Sequence, residues 1–211
     1  MKKLTFLLFA AFSSLTASAQ TEKGSQWIGG SLSASHDDRK IVYSTSNPQP
    51  NSTRKTSTFN IGPSYSYFLA DNLGITASLS YSNSHEDASD EFVLETDYKA
   101  VFGSLALNKY ALYDNKIGVR FGPFARYTSG KNRMYNSRPD DFRANTKQRA
   151  LTTGLNLDFV YFPVKRIGMV AGIGSLNYEH IGYEDTGMEF KQNSFSFDIM
   201  SSTNFSLYYS F

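Results

Sequence analysis

Three histidines, His36, His85 and His180, are the side chains in this sequence best suited to moving protons near neutral pH. His180 stands in Asn177-Tyr-Glu-His-Ile-Gly-Tyr-Glu-Asp185, with carboxylates on both sides. A hydrolase built on it would need a serine placed for deprotonation by the imidazole and a carboxylate to orient the ring. His85 opens His85-Glu86-Asp87, with Asp90 and Glu91 close behind, but the loop glycine and ordered acidic spacing of an EF-hand are missing. Between residues 131 and 149, Lys131, Arg133, Arg138, Arg143, Lys147 and Arg149 meet only Asp140 and Asp141. Guanidinium groups in such a stretch suit phosphate through charge-assisted, bidentate contacts; a solvated loop is the alternative. There is no P-loop, dinucleotide fingerprint, Cys/His metal motif or nucleic-acid module. No cofactor, metal or nucleic-acid partner is therefore expected.

The elements that must position these residues begin after an export signal. Lys2 and Lys3 precede an apolar run from Leu4 to Phe12, and Ala17-Ser18-Ala19 forms an A-x-A cleavage site. The run is too short to cross a bilayer as a helix, which takes about 20 residues. Residues 1–19 are expected to be a cleaved signal peptide and residues 20–211 the single mature domain. Without Lys2 and Lys3, the 21 Lys+Arg fall by two and balance the 19 Asp+Glu, so net charge gives no support to polyanion binding. The absence of cysteine in an oxidising compartment leaves burial and closure to stabilise the fold. Mean hydropathy is −0.37 and no long apolar run follows the signal, which excludes a helical membrane protein. Aromatics nevertheless reach 15%, with 14 Tyr and 17 Phe but one Trp, Trp27.

The rest of the chain alternates with period two in eight segments, separated in turn by tight turns and long polar stretches. The first spans about 26–35 and the second about 58–69, where Phe59, Ile61, Pro63, Tyr65, Tyr67 and Leu69 oppose Asn60, Gly62, Ser64 and Ser66. The third, about 74–83, sets Ile75, Ala77, Leu79 and Tyr81 against Thr76, Ser78, Ser80 and Ser82. The fourth, about 95–110, has apolar residues on both parities, so its register is open. The fifth begins at Ile117, the sixth spans about 151–162, and the seventh begins at Ile167 with a single parity through Ile173. The eighth carries Phe195, Phe197, Ile199, Phe205, Leu207, Tyr209 and Phe211 on one face and runs to the chain end. Turns near 70–73, 113–116 and 163–166 belong on the periplasmic side. The stretches 36–57, 83–94, 128–149 and 179–193 are expected as long outer loops.

This pattern resembles the eight-stranded outer-membrane barrels of the OmpA/OmpX type and the related outer membrane protein beta-barrel domain families of Gram-negative bacteria. The resemblance covers 20–211 and is carried most by the hairpin Phe59 through Tyr81 and by Asn204-Phe-Ser-Leu-Tyr-Tyr-Ser-Phe211. It implies an all-β, eight-stranded antiparallel transmembrane barrel with short periplasmic turns and long outer loops. It further implies that Phe205, Leu207, Tyr209 and Phe211 form the signal read by the barrel-assembly machinery. A periplasmic peptidoglycan-binding domain is lacking, so no cell-wall tether is expected. Some barrels of this size resemble lipid-A-modifying enzymes, but the deacylase His-x-Ser arrangement is absent, since Gly182 stands where the serine should be.

In hydrocarbon every backbone polar group must be paired, so spanning strands must close. Eight strands enclose room for side chains rather than a channel. The expected lumen set is Gly, Ser, Thr and Asn with five charges, Lys99, Arg120, Arg126, Asp158 and Asp198. They read as a salt-bridge network plugging the barrel, with an ion pathway as the alternative. The expectation is a non-enzymatic, monomeric outer-membrane protein of structural, adhesive or surface-interaction role. A small porin or hydrophobic-solute channel is the alternative, and a lipid-A-modifying enzyme is third. Outer-membrane lipid and lipopolysaccharide are the expected partners, with Lys131, Arg133, Arg138 and Arg143 as candidate lipopolysaccharide contacts.

Overall fold

The computed structural model describes residues 20–41, 52–89, 94–136, 142–185, 188–199 and 205–211. The expected signal peptide and Arg138 lie outside them. The described strands are β1 (Gln26–Ile41), β2 (Ser52–Ala70), β3 (Leu73–Ser89), β4 (Leu94–Tyr113), β5 (Ile117–Asn136), β6 (Phe142–Val164), β7 (Ile167–Asp185), β8 (Met188–Ile199) and β9 (Phe205–Ser210). Each pairs antiparallel with its sequence neighbour from β1 through β8. β8 and β9 are two pieces of the eighth expected strand. β8 pairs with β7 from Gly174 to Asp185, and β9 joins Ile167–Ala171 of β7 to Trp27–Ser31 of β1. The sheet thus closes in a ring of eight, with no edge at its base.

Alternation decides what each face meets. Leu32, Leu79, Leu105, Tyr127 and Phe197 are exposed on the outside, while the intervening Ser66, Ser82, Asn108 and Thr128 are buried inside. An outer wall this apolar would be a liability in water; in a bilayer it is the solvated surface. β4 adopts one of its two open registers: Val101, Leu105 and Leu107 face lipid, while Ala100, Asn108 and Tyr110 are buried inside.

In β7 the expected single parity fails. Asp158 pairs with Gly172 but Leu157 with Gly174, so Ile173 is an extra residue on the β7 side of the ladder. The bulge reverses the alternation. Met169 is exposed on the outside before it and Tyr178 after it, with Leu176 and His180 on the parity of Tyr178, and Asn177 and Ser175 line the interior. Without the extra residue, the rim half of β7 would turn its polar side chains into hydrocarbon.

Much of what reads as outer loop is strand. His36–Ile41 stays in register with Ser52–Ser57, and Ser84–Ala88 with Leu94–Tyr98. β6 is 23 residues long, whereas about 9–11 tilted residues cross a membrane. The ladders therefore continue beyond the bilayer as a polar wall. Both faces are polar there, which removes the amphipathic signal without removing the backbone hydrogen bonds.

The base is sealed. The tight turns place Asn72, Asp114 and Asn115 at positive φ (60°, 49° and 54°), a conformation Asn and Asp tolerate better than most residues. Above them Trp27, Phe68, Tyr110, Val160, Phe162, Val170 and Tyr208 form a buried cluster. The Trp27 ring lies 4.9 Å from Phe68, 5.5 Å from Tyr110, 5.3 Å from Phe162 and 5.6 Å from Tyr208, centroid to centroid. These separations are within the range for favourable tilted and edge-to-face pairs. Residues 20–25 fold against the turns: Thr21 donates its hydroxyl to Asn72 Oδ1 (2.6 Å) and the Lys23 N–H donates to Asp71 Oδ1 (2.9 Å). Gln20 and Thr21 are buried, and Gln20 Nε2 donates to the Val164 carbonyl at 3.2 Å.

Candidate functional site

Above the aromatic layer the barrel holds a cavity of about 650 Å³. Its wall includes Ser31, Ser78, Ser104, Asn156, Asn177 and Ser206. These short polar side chains are the inward half of each alternating strand, and their small size leaves the space.

The floor is ionic and well partnered. Arg120 Nε donates to Asp158 Oδ2 at 2.7 Å, and Asn156 Nδ2 donates to the same oxygen at 2.9 Å. Arg120 Nη1 reaches the Tyr110 hydroxyl at 3.4 Å, and the guanidinium lies 5.7 Å from the Tyr208 ring centroid. Asn156 also donates to Asn108 Oδ1 (3.3 Å), and Asn108 to Thr76 Oγ1 (3.4 Å). Arg120 and Asp158 face each other in the β5–β6 register, which removes the conformational search a long side chain would otherwise need. The added contacts from Asn156 and the Tyr110 hydroxyl offset part of the cost of burying such a pair.

Of the five charges expected inside, the fold unites only Arg120 and Asp158. Arg126 lines the cavity higher up, its guanidinium 5.7 Å from the Phe124 ring centroid. Asp198 lines it across β8, accepting from Ser196 Oγ (3.0 Å) and Asn177 Nδ2 (3.4 Å). Lys99 is a correction: it shares the outward parity of Val101 and stands opposite Asn83 and Lys131 on the outer wall. The register that buries Asn108 and Tyr110 forces Lys99 outward. The closure at the base is likewise aromatic, formed around Trp27, with the ion pair resting on it. The signal for Trp27 in the sequence is that it is the one tryptophan, placed at the start of the first strand.

At the rim, each histidine has a partner. His36 Nδ1 is 2.9 Å from Ser57 Oγ, and His180 Nδ1 is 2.6 Å from Asn193 Oδ1. His85 lies between Asp97 (2.7 Å) and Asp87 (3.2 Å). The hydrogen bond to Asp97 raises the His85 pKa above its ordinary value, aided by the charges of Asp87, Asp97 and Glu95 against a smaller desolvation. Among the described residues no histidine joins a serine and a carboxylate together, and no cluster of three metal-ligating side chains forms.

The candidate lipopolysaccharide contacts Lys131 and Arg133 sit on the outward parity of β5, both exposed. The backbone of Arg143 lies in β6, while its side chain, like Arg138, falls outside the described residues. In the last strand Leu207 and Tyr209 face outward, with Arg166 Nη1 donating to the Tyr209 hydroxyl at 3.2 Å. The Phe211 N–H donates to the Gln26 carbonyl at 3.0 Å; the Phe205 side chain falls outside the described residues.

A closed antiparallel ring with an apolar exterior and a polar interior defines a transmembrane barrel of the outer membrane. The family of the outer membrane protein beta-barrel domain matches residues 4–201, and the chain belongs to it. No curated protein matches its sequence. Among solved structures it is similar to the outer membrane protein OprG from Pseudomonas aeruginosa. That likeness has 17% identity and a TM-score of 0.53, over 92% of this chain and 99% of the other. A major outer membrane protein from Thermus thermophilus matches at 12% identity and TM-score 0.48, over 89% and 99%. Ail, the attachment invasion locus protein of Yersinia pestis, matches at 12% and 0.44, over 90% and 99%.

Proposed function

We propose that this protein is a non-enzymatic, non-conducting barrel that acts through its outer surface, in a structural, adhesive or surface-interaction role. The observation that carries the reading is the sealed base: the Trp27 cluster spans the lumen and residues 20–25 fold beneath it. A pore needs water through both mouths, and at this end the interior is packed with aromatic rings. What the molecule offers to a partner is the rim, where strand ladders extend past the bilayer. Among the described residues each histidine is already bonded to a neighbour, His36 to Ser57, His85 to Asp97 and His180 to Asn193. We further infer that the chain works as a monomer after loss of residues 1–19, with Phe205, Leu207, Tyr209 and Phe211 read during assembly. Osmotic swelling of proteoliposomes in small sugars tests the reading. Swelling no faster than in empty liposomes is the expected result; rapid swelling would replace it with the porin reading.

A second reading has one specific observation in its favour. Among the described residues β8 pairs with β7 alone, and β1 beyond Ser31 pairs with β2 alone. A seam there, beside a cavity that includes Ser33 and Asp198, would give small solutes a sideways route into the outer leaflet. Faster entry of a small apolar dye into proteoliposome membranes, without sugar permeation, would favour it over the surface reading.

A further inference from the structure

The outer wall of β4 to β8, just beyond the apolar belt, concentrates positive charge in a way the fold itself does not neutralise. Lys99 pairs in register with Lys131, and Lys131 with Lys147, so three lysines stand side by side on adjacent strands. All three share the parity of the lipid-facing Val101, Tyr127 and Leu151. Like charges directly opposite one another in a sheet are destabilising. Of the three, Lys147 has a carboxylate neighbour, Glu184 at 3.9 Å. Neither Lys99, Lys131 nor Arg149 has one within 4.0 Å among the described residues. Elsewhere on the wall an outward lysine is balanced: Lys55 stands in register between Asp38 and Asp87.

A groove of about 570 Å³ runs beside the lysine row. Arg149, Gly182 and Lys191 form one lateral row across β6, β7 and β8. Gly182 leaves a notch between the two cations, since a Cβ there would meet only the Arg149 carbonyl oxygen, at 3.9 Å. His180 and Leu151 line the lipid side of the groove, and Glu184 and Glu189 the rim side, the latter 3.3 Å from Lys191.

We propose that this face binds the phosphate groups of an anionic lipid headgroup in the outer leaflet, with Lys99, Lys131 and Arg149 as ligands and the Gly182 notch seating one phosphate beside Arg149. The apolar belt directly below fixes the ligand as a lipid. Tyr127 and Leu151 would meet acyl chains while the cations above meet the headgroup. Phosphate then supplies the countercharge the lysine row lacks, and Arg149 the bidentate contact. This site lies on the wall and is independent of whether the lumen conducts.

The test uses the refolded full barrel in phosphatidylcholine nanodiscs doped with bisphosphorylated lipid A, with lipid retention read by native mass spectrometry. Wild type and the Lys55→Gln control are expected to retain the phosphorylated lipid alike. The triple variant Lys99→Gln/Lys131→Gln/Arg149→Gln is expected to retain about tenfold less or lower, and the gap to narrow with salt. In pure phosphatidylcholine the triple variant is expected to unfold at a temperature no lower than wild type, because its like charges are gone. That comparison separates lost binding from lost folding. Equal retention by the triple variant would overturn the proposal. So would equal retention of dephosphorylated lipid A, or displacement of the lipid by millimolar inorganic phosphate, which would make the site one for free anions.

Discussion

The indole N–H of Trp27 donates to the backbone carbonyl of Gln20 at 2.7 Å, tying the aromatic layer inside the barrel to the segment folded beneath it. The two parts of the closure are therefore one cooperative unit. Trp27→Ala would empty the centre of a cluster in which the ring is fully buried, and large-to-small changes of this kind cost about 3–5 kcal/mol. Trp27→Phe would keep most of the packing and lose the bond to Gln20. The expected order of unfolding midpoints in urea is wild type, then Trp27→Phe, then Trp27→Ala.

Arg120 and Asp158 set the second prediction. Removing one partner strands a buried charge, at a cost of about 3–5 kcal/mol. Replacing both with apolar residues of similar size removes the stranded charge. Asp158→Leu and Arg120→Met alone should each lower stability more than the double variant does, giving a strong coupling in a double-mutant cycle. Additive losses would mean that the pair at 2.7 Å contributes nothing as a pair.

His85 carries a pH dependence of definite sign. Its pKa is raised from 6.5 in the folded barrel, chiefly by the hydrogen bond to Asp97. A raised histidine pKa means the folded state holds the proton more tightly, so the stabilisation is fully present below pH 6.5 and is lost as pH climbs through the folded value. The stability advantage of wild type over His85→Gln should thus shrink from mildly acidic to alkaline pH. Urea titrations of both proteins across that range measure it, and an advantage that grows with pH would have the wrong sign. With His85 exposed and Asp97 partly exposed, the effect is expected to be small.

The bulge in β7 makes a prediction about length rather than side-chain identity. Deleting Ile173 would restore one-to-one pairing with β6 and reverse the faces of everything beyond it. Asn177 and Glu179 would then meet lipid, while Tyr178 and His180 would point into the lumen. The deletion variant should fail to give a heat-modifiable folded band on gels, whereas Ile173→Ala, which keeps the extra residue, should still fold.

The strands were legible wherever one face is apolar and the other polar, as in the hairpin from Phe59 to Tyr81. Legibility stopped where that contrast stops. Beyond His36 and Ser84 both faces are polar, so ladder reads as loop. In β4 the interior holds Phe102 and Tyr110, so apolar residues occupy both parities, and Lys99 was assigned to the wrong face. Gly172-Ile173-Gly174 offers no polar contrast by which a reversal could be seen. The inward placement of Arg120 and Asp158 is legible from parity, whereas their pairing depends on the β5–β6 register. The closure around Trp27 is not legible, because it depends on six strands converging at one level. The lysine row is likewise a product of register, joining residues 99, 131 and 147.

Single-channel recording of the refolded barrel in planar bilayers, wild type beside Trp27→Ala, tests the sealed base most directly. The account predicts no steady conductance for folded wild type and the appearance of discrete openings once the indole is removed. Stable conductance through folded wild type, unchanged in Trp27→Ala, would contradict it.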